Sequence, residues 1–309
     1  MSALAEALLD LGASVSGSDL SASEVTRALE ARGARVAIGH RAANLGNADR
    51  VVYTGALAAD NPEIAAARER GLPLIRRAEL LGQLMDLRRG VAVAGTHGKT
   101  TTSSMLAWVL ARAGRDPSYM VGGTIRGLGP GGHWGGGPEL VAEADEYDRS
   151  FLQLRPEVAI ITNIDSDHLE YYGSNDAIYA AFGEFAANVR PGGLLVMCAD
   201  DPTSMQLAAD LQASAASFRL QFYGSASGAL WRPDAITPND IGGSDYVALR
   251  DGKVAALVSL RVPGQHNVLN SLAVMAACVE LGLSPEEVAR WFEGFEGAGR
   301  RFEVKGEVG

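Results

Sequence analysis

Residues 91–102 read VAVAGTHGKTTT. A strand of small apolar residues runs through a glycine turn into a lysine and three threonines, and these open an apolar-periodic helix (Met105, Leu106, Val109, Leu110) ended by Gly114. Strand, glycine turn and helix in that order are the context of a phosphate-binding loop. Gly95 and Gly98 let the backbone wrap close to phosphates. The amides of Thr96, His97 and the helix start, together with the helix dipole, face the negative charge, while Lys99 adds a mobile point charge. Thr100, followed by Thr101, offers a hydroxyl to Mg²⁺. Two residues, not four, separate the glycines, so the loop departs from the general GxxxxGK[ST] pattern. The alternative is a glycine-rich turn with an incidental lysine.

At 309 residues the chain has room for two domains of about 150 residues each. Hydrophobic residues make up 47%, enough for two cores. The net charge of −10 repels a phosphate backbone, which argues against a nucleic-acid partner while leaving room for a local nucleotide site. Cys198 and Cys278 sit in apolar stretches without a CxxC or Cys/His cluster, so they read as buried, reduced thiols. The opening MSALAEALLDLG carries Glu6 and Asp10, so it is neither a signal peptide nor a membrane anchor. The sequence thus reads as a cytoplasmic protein.

Strands and helices alternate from the start. Leu4, Ala7, Leu8 and Leu11 mark a helix closing at Gly12, and ASVSGSD forms a strand ending in Asp19. SEVTRALEARG is helical, RVAIG is a strand with a turn at Gly39 and His40, RVVYTG is a strand, NPEIAAARERG a helix, and LPLIR follows. This alternation implies a parallel sheet with right-handed crossovers, a Rossmann-like unit over 1–88. The strand and glycine turn that normally precede the first helix of such a unit are missing, so the chain begins one strand late. Asp19 then stands where an acid meets a ribose hydroxyl, or else it is a turn or helix-capping Asp. A second, P-loop-type and mostly parallel α/β unit spans 89–309. Its further strands are ELVAEAD, EVAIITNI, GGLLVMCADD, RLQFYG and a hairpin, DYVALRDGKVAALVSLRV, turning at Asp251 and Gly252. Helices are expected at about 174–189, 203–213, 266–281 and 285–293. The final RRFEVKGEVG reads as a strand beginning.

Two acidic segments end strands at the same sheet edge as the phosphate loop. Glu143, Asp145, Glu146 and Asp148 crowd carboxylates that repel one another unless a cation sits among them, a divalent metal or otherwise a solvated acidic turn. Asn163, Asp165, Asp167 and His168 follow the apolar VAIIT. Mg²⁺ prefers oxygen ligands, so His168 alone reads as a capping histidine, and in company with Glu143 and Lys99 as a ligand. In PGQHN (263–267) and at Asn270, side-chain amides suit an adenine edge, with plain N-capping by Asn267 as the alternative. Arg300 and Arg301 place a guanidinium on a phosphate or form a surface cation pair.

VAVAGTHGKTTT, VAEADEYD, TNIDSDH, PGQHNVLN and RRFE, in this order and spacing, resemble the Mur ligase family of ATP-dependent amide-bond-forming enzymes, and the resemblance covers nearly the whole chain. It implies that Gly95 to Thr101 hold the ATP phosphates, with Lys99 on the outer phosphates and Thr100 on a Mg²⁺. Glu143 and His168 would hold a second Mg²⁺, with Glu146 as the fallback for Glu143. Asn267 and Asn270, with His266 alongside, match the adenine contacts; Asn163 lies near the nucleotide, Arg301 matches a phosphate-contacting arginine, and Asp19 and His40 would face the UDP part of a substrate. The implied reaction joins L-alanine to the carboxylate of UDP-N-acetylmuramate through an acyl phosphate. The alternatives are a related ligase with a murein tripeptide or a folate as substrate, and a nucleotide-binding fragment without turnover. The folate version is disfavoured by the UDP-sugar-type first domain. The family's glycine-rich loop for the UDP diphosphate and its third, amino-acid-binding domain would lie outside 1–309. A central ligase site that is not competent alone is therefore expected.

Overall fold

A computed structural model describes residues 1–55 and 60–299 of the chain. The N-terminal region runs α1 (Ser2–Asp10), β1 (Ser16–Asp19), α2 (Glu24–Ala31), β2 (Arg35–Ile38), a 3₁₀ turn (Ala42–Leu45), β3 (Val51–Tyr53), α3 (Pro62–Glu69), β4 (Leu74–Arg76) and α4 (Arg77–Asp86). The central region begins with β5 (Arg89–Ala94), α5 (Lys99–Arg112), β6 (Ser118–Met120), β7 (Gly132–His133), β8 (Glu139–Glu143), a second 3₁₀ segment (Tyr147–Gln153) and β9 (Val158–Ile161). It continues through α6 (Leu169–Tyr172), α7 (Asn175–Ala187), β10 (Leu194–Cys198), α8 (Pro202–Ala213) and β11 (Arg219–Tyr223). Then come β12 (Trp231–Pro238), β13 (Ser244–Arg250), β14 (Lys253–Leu260), α9 (Gln265–Glu280) and α10 (Pro285–Phe292).

Local chemistry sets these boundaries. Ser23 and Thr26 close a capping box on α2, as Ser284 and Glu287 do on α10, and Asn61 and Asp201 cap α3 and α8 ahead of a proline in the first turn. At the β13–β14 hairpin Asp251 (φ 52°) and Gly252 (φ 71°) both take positive φ, the two-residue turn read from the sequence.

Over the described residues, one ten-stranded sheet dominates, in the order β14-β13-β12-β11-β10-β9-β5-β8-β6-β7. Its heart from β11 to β6 is parallel, and antiparallel strands close both ends. Alternation along each strand feeds two cores. Val91, Val93, Val141, Ile160 and Val196 point to the face covered by α5, α9 and α10. Ala92, Ala94, Ala142, Ile161 and Met197 point to the opposite face, with Phe182 and Phe185 of α7 and Leu207 of α8. Cys198 and Cys278 are free and buried in these cores. No helix among the described residues is long and apolar enough to cross a membrane.

The N-terminal strands form two separate parallel pairs, β1–β2 and β3–β4, instead of the single parallel sheet that the alternation implies. No backbone hydrogen bonds join the pairs among the described residues. Packing also crosses the expected boundary at residue 88, because Leu4 and Ala7 of α1 and Leu80, Leu81 and Leu84 of α4 share a core with the central sheet. The strand expected within 300–309 lies outside the described residues.

Candidate active site at the carboxyl edge of the central sheet

Three neighbouring parallel strands, β8, β5 and β9, end together. Val93 is in register with Glu143 and Ala94 with Ile161, so the segments following all three strands emerge on one edge. Gly95 (φ 133°) and Gly98 (φ 86°) shape the loop between β5 and α5. A Cβ on Gly95 would lie 2.0 Å from Thr162 Oγ1, and one on Gly98 3.1 Å from Asn270 Oδ1, so backbone conformation and space both demand glycine.

Side chains from β9 and its exit clamp the loop. Asn163 Oδ1 accepts from the His97 amide at 2.9 Å while its Nδ2 donates to the His97 carbonyl at 3.0 Å. Thr162 Oγ1 donates to that carbonyl at 2.5 Å, and Thr96 Oγ1 accepts from the Asp165 amide at 2.9 Å. Asn163 therefore braces the loop. No side chain caps the fourteen-residue α5, whose N-terminus begins at Gly98, and Thr101 is buried in its first turn. An uncapped helix start beside a lysine is a ready anion site.

Lys99 Nζ donates to the Gly95 carbonyl at 2.7 Å and to Glu146 Oε1 at 2.8 Å. Glu146 is almost fully buried, and burial pushes its carboxyl pKa up, with the Lys99 charge pulling the other way. Glu143 takes a different partner: Oε1 accepts from Thr100 Oγ1 at 2.8 Å and Oε2 from the Gly122 amide at 2.7 Å. His168 stands among carboxylates, its Nε2 4.0 Å from Glu146 Oε1 and 3.8 Å from Asp167 Oδ2, its Nδ1 3.5 Å from Glu170 Oε1. Ligand atoms of Glu146, Asp167 and His168 all lie within 4.8 Å of one another.

Of the two carboxylates considered as partners of His168, Glu146 stands beside it, while Glu143 bonds Thr100. Glu143 is the last residue of β8, and Glu146, three residues on, heads the second 3₁₀ segment with its carboxylate on Lys99. His168 itself has φ 53°, a left-handed conformation costing about 1 kcal/mol or more for a non-glycine residue. Such strain concentrates where geometry serves a ligand.

Helix α9 reaches the same loop. Its N-cap is Gly264 (φ 97°), not Asn267, which corrects the capping alternative; Asn267 lies inside the first turn and donates through Nδ2 to the Pro263 carbonyl at 2.7 Å. A Cβ on Gly264 would lie 2.5 Å from the His266 ring. Asn267 and Asn270 are both buried, 3.4 Å apart through Nδ2 and Oδ1. Asp19 ends β1, where its Oδ1 accepts from the Ser21 amide at 3.1 Å as in a turn. His40 follows β2. Arg301 lies outside the described residues.

Sequence reasoning missed a cavity of about 410 Å³ between the N-terminal region and the Asp145–Gln153 segment. Arg76, Arg77 and Arg149 line it beside Asp145 and Asp148. Arg77 and Asp145 also line a smaller pocket of about 100 Å³ that reaches Glu143. The signal was present in the sequence: two arginines stand at the start of α4, where the helix dipole disfavours cations.

The donors suit a nucleoside triphosphate with a divalent cation. The uncapped helix, Lys99 and the glycine loop answer phosphate charge, and the two carboxylate groups offer oxygen ligands. Residues 1–89 match the profile described as Mur ligase family, catalytic domain, and residues 139–278 match the Mur ligase middle domain. The chain belongs to the Mur ligase family. It is 45% identical over 309 residues to the UDP-N-acetylmuramate–L-alanine ligase of Burkholderia ambifaria, covering all of this chain and 65% of that protein. The Kineococcus radiotolerans protein of the same name is 47% identical over 311 aligned positions, with the same coverage. The chain thus spans about two thirds of the length of these curated relatives. Among solved structures, the UDP-N-acetylmuramate-alanine ligase of Thermotoga maritima matches with a TM-score of 0.86 at 31% identity, over 100% of this chain and 69% of that one. The Neisseria ligase for UDP-N-acetylmuramate and L-alanyl-γ-D-glutamyl-meso-diaminopimelate matches with a TM-score of 0.85 at 29% identity, over 97% and 96%.

Proposed function

We propose that this chain carries the nucleotide-activating part of a cytoplasmic UDP-N-acetylmuramate:L-alanine ligase, acting with ATP and Mg²⁺ in peptidoglycan precursor synthesis. The observation that carries the reading is Lys99, held by the Gly95 carbonyl and Glu146 at the head of an uncapped helix, with Thr100 and Glu143 joined beside it. The substrate carboxylate attacks the γ-phosphorus and ADP leaves, giving an acyl phosphate; the neutral amino group of L-alanine attacks the acyl carbon, and inorganic phosphate and a proton leave as the amide forms. Bringing one anion onto another is the main electrostatic obstacle, and positioned cations lower it.

Lys99 and the α5 amides hold the outer phosphates in this reading. Thr100 and Glu143 provide one set of metal ligands, and Glu146, Asp167 and His168 the other. Bound Mg²⁺ neutralises phosphate charge there. Asn163 keeps the His97 peptide in place, Asn267 and Asn270 flank the base, and Asp19 and His40 face the uridine end. Arg76 and Arg77 line the cavity toward which the substrate carboxylate extends, and Arg301 completes the phosphate contacts. Domains at 1–88 and 89–309 divide these tasks.

Phosphate release measured with ATP tests the reading. Release that needs both UDP-N-acetylmuramate and L-alanine supports it. Release with the murein tripeptide in place of alanine makes the chain a recycling ligase, and tight ATP binding without release under any combination makes it a binding module.

A further inference from the structure

Where β1 and β2 end, a chain of hydrogen bonds determines which nitrogen of an imidazole carries the proton. Ser18 Oγ lies 2.8 Å from His40 Nδ1 and donates to Glu63 Oε2 at 2.7 Å. The other oxygen of Glu63 accepts from Asn44 Nδ2 at 2.6 Å and from the Arg41 amide at 3.2 Å. An ionised carboxylate has no proton to give, so the Ser18 hydroxyl proton points to Glu63. Only lone pairs on Ser18 then remain for His40, and Nδ1 must be the protonated nitrogen. In neutral imidazole that leaves Nε2 as a bare acceptor, and it has no protein partner among the described residues.

We infer that Ser18 and Glu63 are positioning residues that hold His40 in the Nδ1–H tautomer and so present its Nε2 as an acceptor for the imide N–H of a uracil base. The hydrogen-bond relay stands on geometry alone; the choice of uracil rests on the uridine-binding reading above. His40 follows Gly39, whose amide donates to the Asp19 carbonyl at 2.8 Å. Cytosine offers a lone pair at the ring position where uracil offers N–H, so two acceptors would face each other and the pairing would be lost.

Imidazole ¹⁵N NMR, recorded in the alkaline range where the ring signals no longer change with pH, reads the tautomer directly. The chain has five histidines, and His40→Gln assigns the signal. In the unmodified protein His40 is expected protonated at Nδ1. Glu63→Gln keeps the shape of the side chain: its carbonyl oxygen still accepts from Asn44 and the Arg41 amide, and its NH₂ donates to Ser18. The hydroxyl then turns to Nδ1, and the proton is expected to move to Nε2. Ser18→Ala removes the relay and is expected to leave a mixture of tautomers. An unmodified protein with the proton on Nε2, or a Glu63→Gln variant that keeps it on Nδ1, overturns the relay.

Calorimetry with UDP and CDP tests the base. UDP is expected to bind on the order of tenfold tighter than CDP, with Glu63→Gln eroding that preference. Equal or absent binding of the two nucleotides, alongside the expected tautomers, overturns the uracil assignment and leaves the relay standing.

Discussion

The strands under the phosphate loop and the strands at the N-terminal end are built differently. Every residue of β9 and β10 is buried, as are most of β5 and β8, whereas β1 and β2 expose residues on both faces. Parallel strands covered on both sides by helices hold their ends in place through packing. Short exposed pairs lack that support, and at β1 and β2 alignment depends on side-chain hydrogen bonds such as those gathered by Glu63. The difference teaches where charge can be handled. Clustered carboxylates and a half-buried lysine persist at the edge of the buried sheet because the backbone there cannot relax away from them, while the exposed pairs hold their ends through side-chain hydrogen bonds.

Substitutions probe this contrast. The largest effect is expected from Lys99→Ala, which removes the one lysine in the loop and should weaken ATP binding in calorimetry by about tenfold or more; a variant that binds ATP like the unmodified chain would refute the loop assignment. Gly95→Ala forces a Cβ to within 2.0 Å of Thr162 Oγ1 at a φ of 133° and should cost about 2–4 kcal/mol in chemical denaturation, since the buried edge cannot give way. A change below about 0.5 kcal/mol would show that this edge is softer than its burial implies.

His168→Ala should raise the Mg²⁺ concentration for half-maximal ATP binding by about tenfold, and an unchanged titration would reduce His168 to the residue that opens α6. Glu146 gives a smaller, pH-dependent effect. Because burial raises its pKa in the folded state, the folded protein binds more protons at this site than the unfolded chain. Its contribution to stability is therefore fully present below its ordinary value of 4.5 and is lost as pH rises through the folded value. Glu146→Gln should flatten that part of the profile of melting temperature against pH; an identical profile would rule the group out. The smallest effect belongs to the exposed end. Ser23→Ala should cost about 1 kcal/mol through the lost cap, seen as faster amide exchange in α2 with little change in β5, β9 or β10. Equal acceleration in both regions would erase the contrast.

Much of the architecture was legible because periodicity and end signals agreed. The helices now bounded at Asn175–Ala187, Pro202–Ala213, Gln265–Glu280 and Pro285–Phe292 follow the expected ranges closely, and the phosphate loop falls between the expected strand and helix. β12 escaped notice because Pro233, Asp234 and Pro238 argue against a strand. It is tolerated because β12 touches β11 only through Trp231 and is otherwise paired on one side, where a missing N–H on the free side costs nothing. The different partners of Glu143 and Glu146 were illegible for another reason: spacing along a chain does not reveal which carboxylate meets Thr100 and which meets Lys99. The arginines at the start of α4 were visible in the sequence, but the cavity they line depends on contact between two regions distant in sequence, which no local pattern encodes.

The contact between Lys99 and Glu146 has a thermodynamic corollary. An anion that draws the ammonium group away strips a buried carboxylate of its counter-charge, and a divalent cation is then the natural replacement. In the function proposed above, each ligand would therefore raise the affinity for the other, and by the same factor in both directions. Nucleotide titrated at rising Mg²⁺ and Mg²⁺ titrated at rising nucleotide should return one coupling constant, and Glu146→Gln should shrink it from either side.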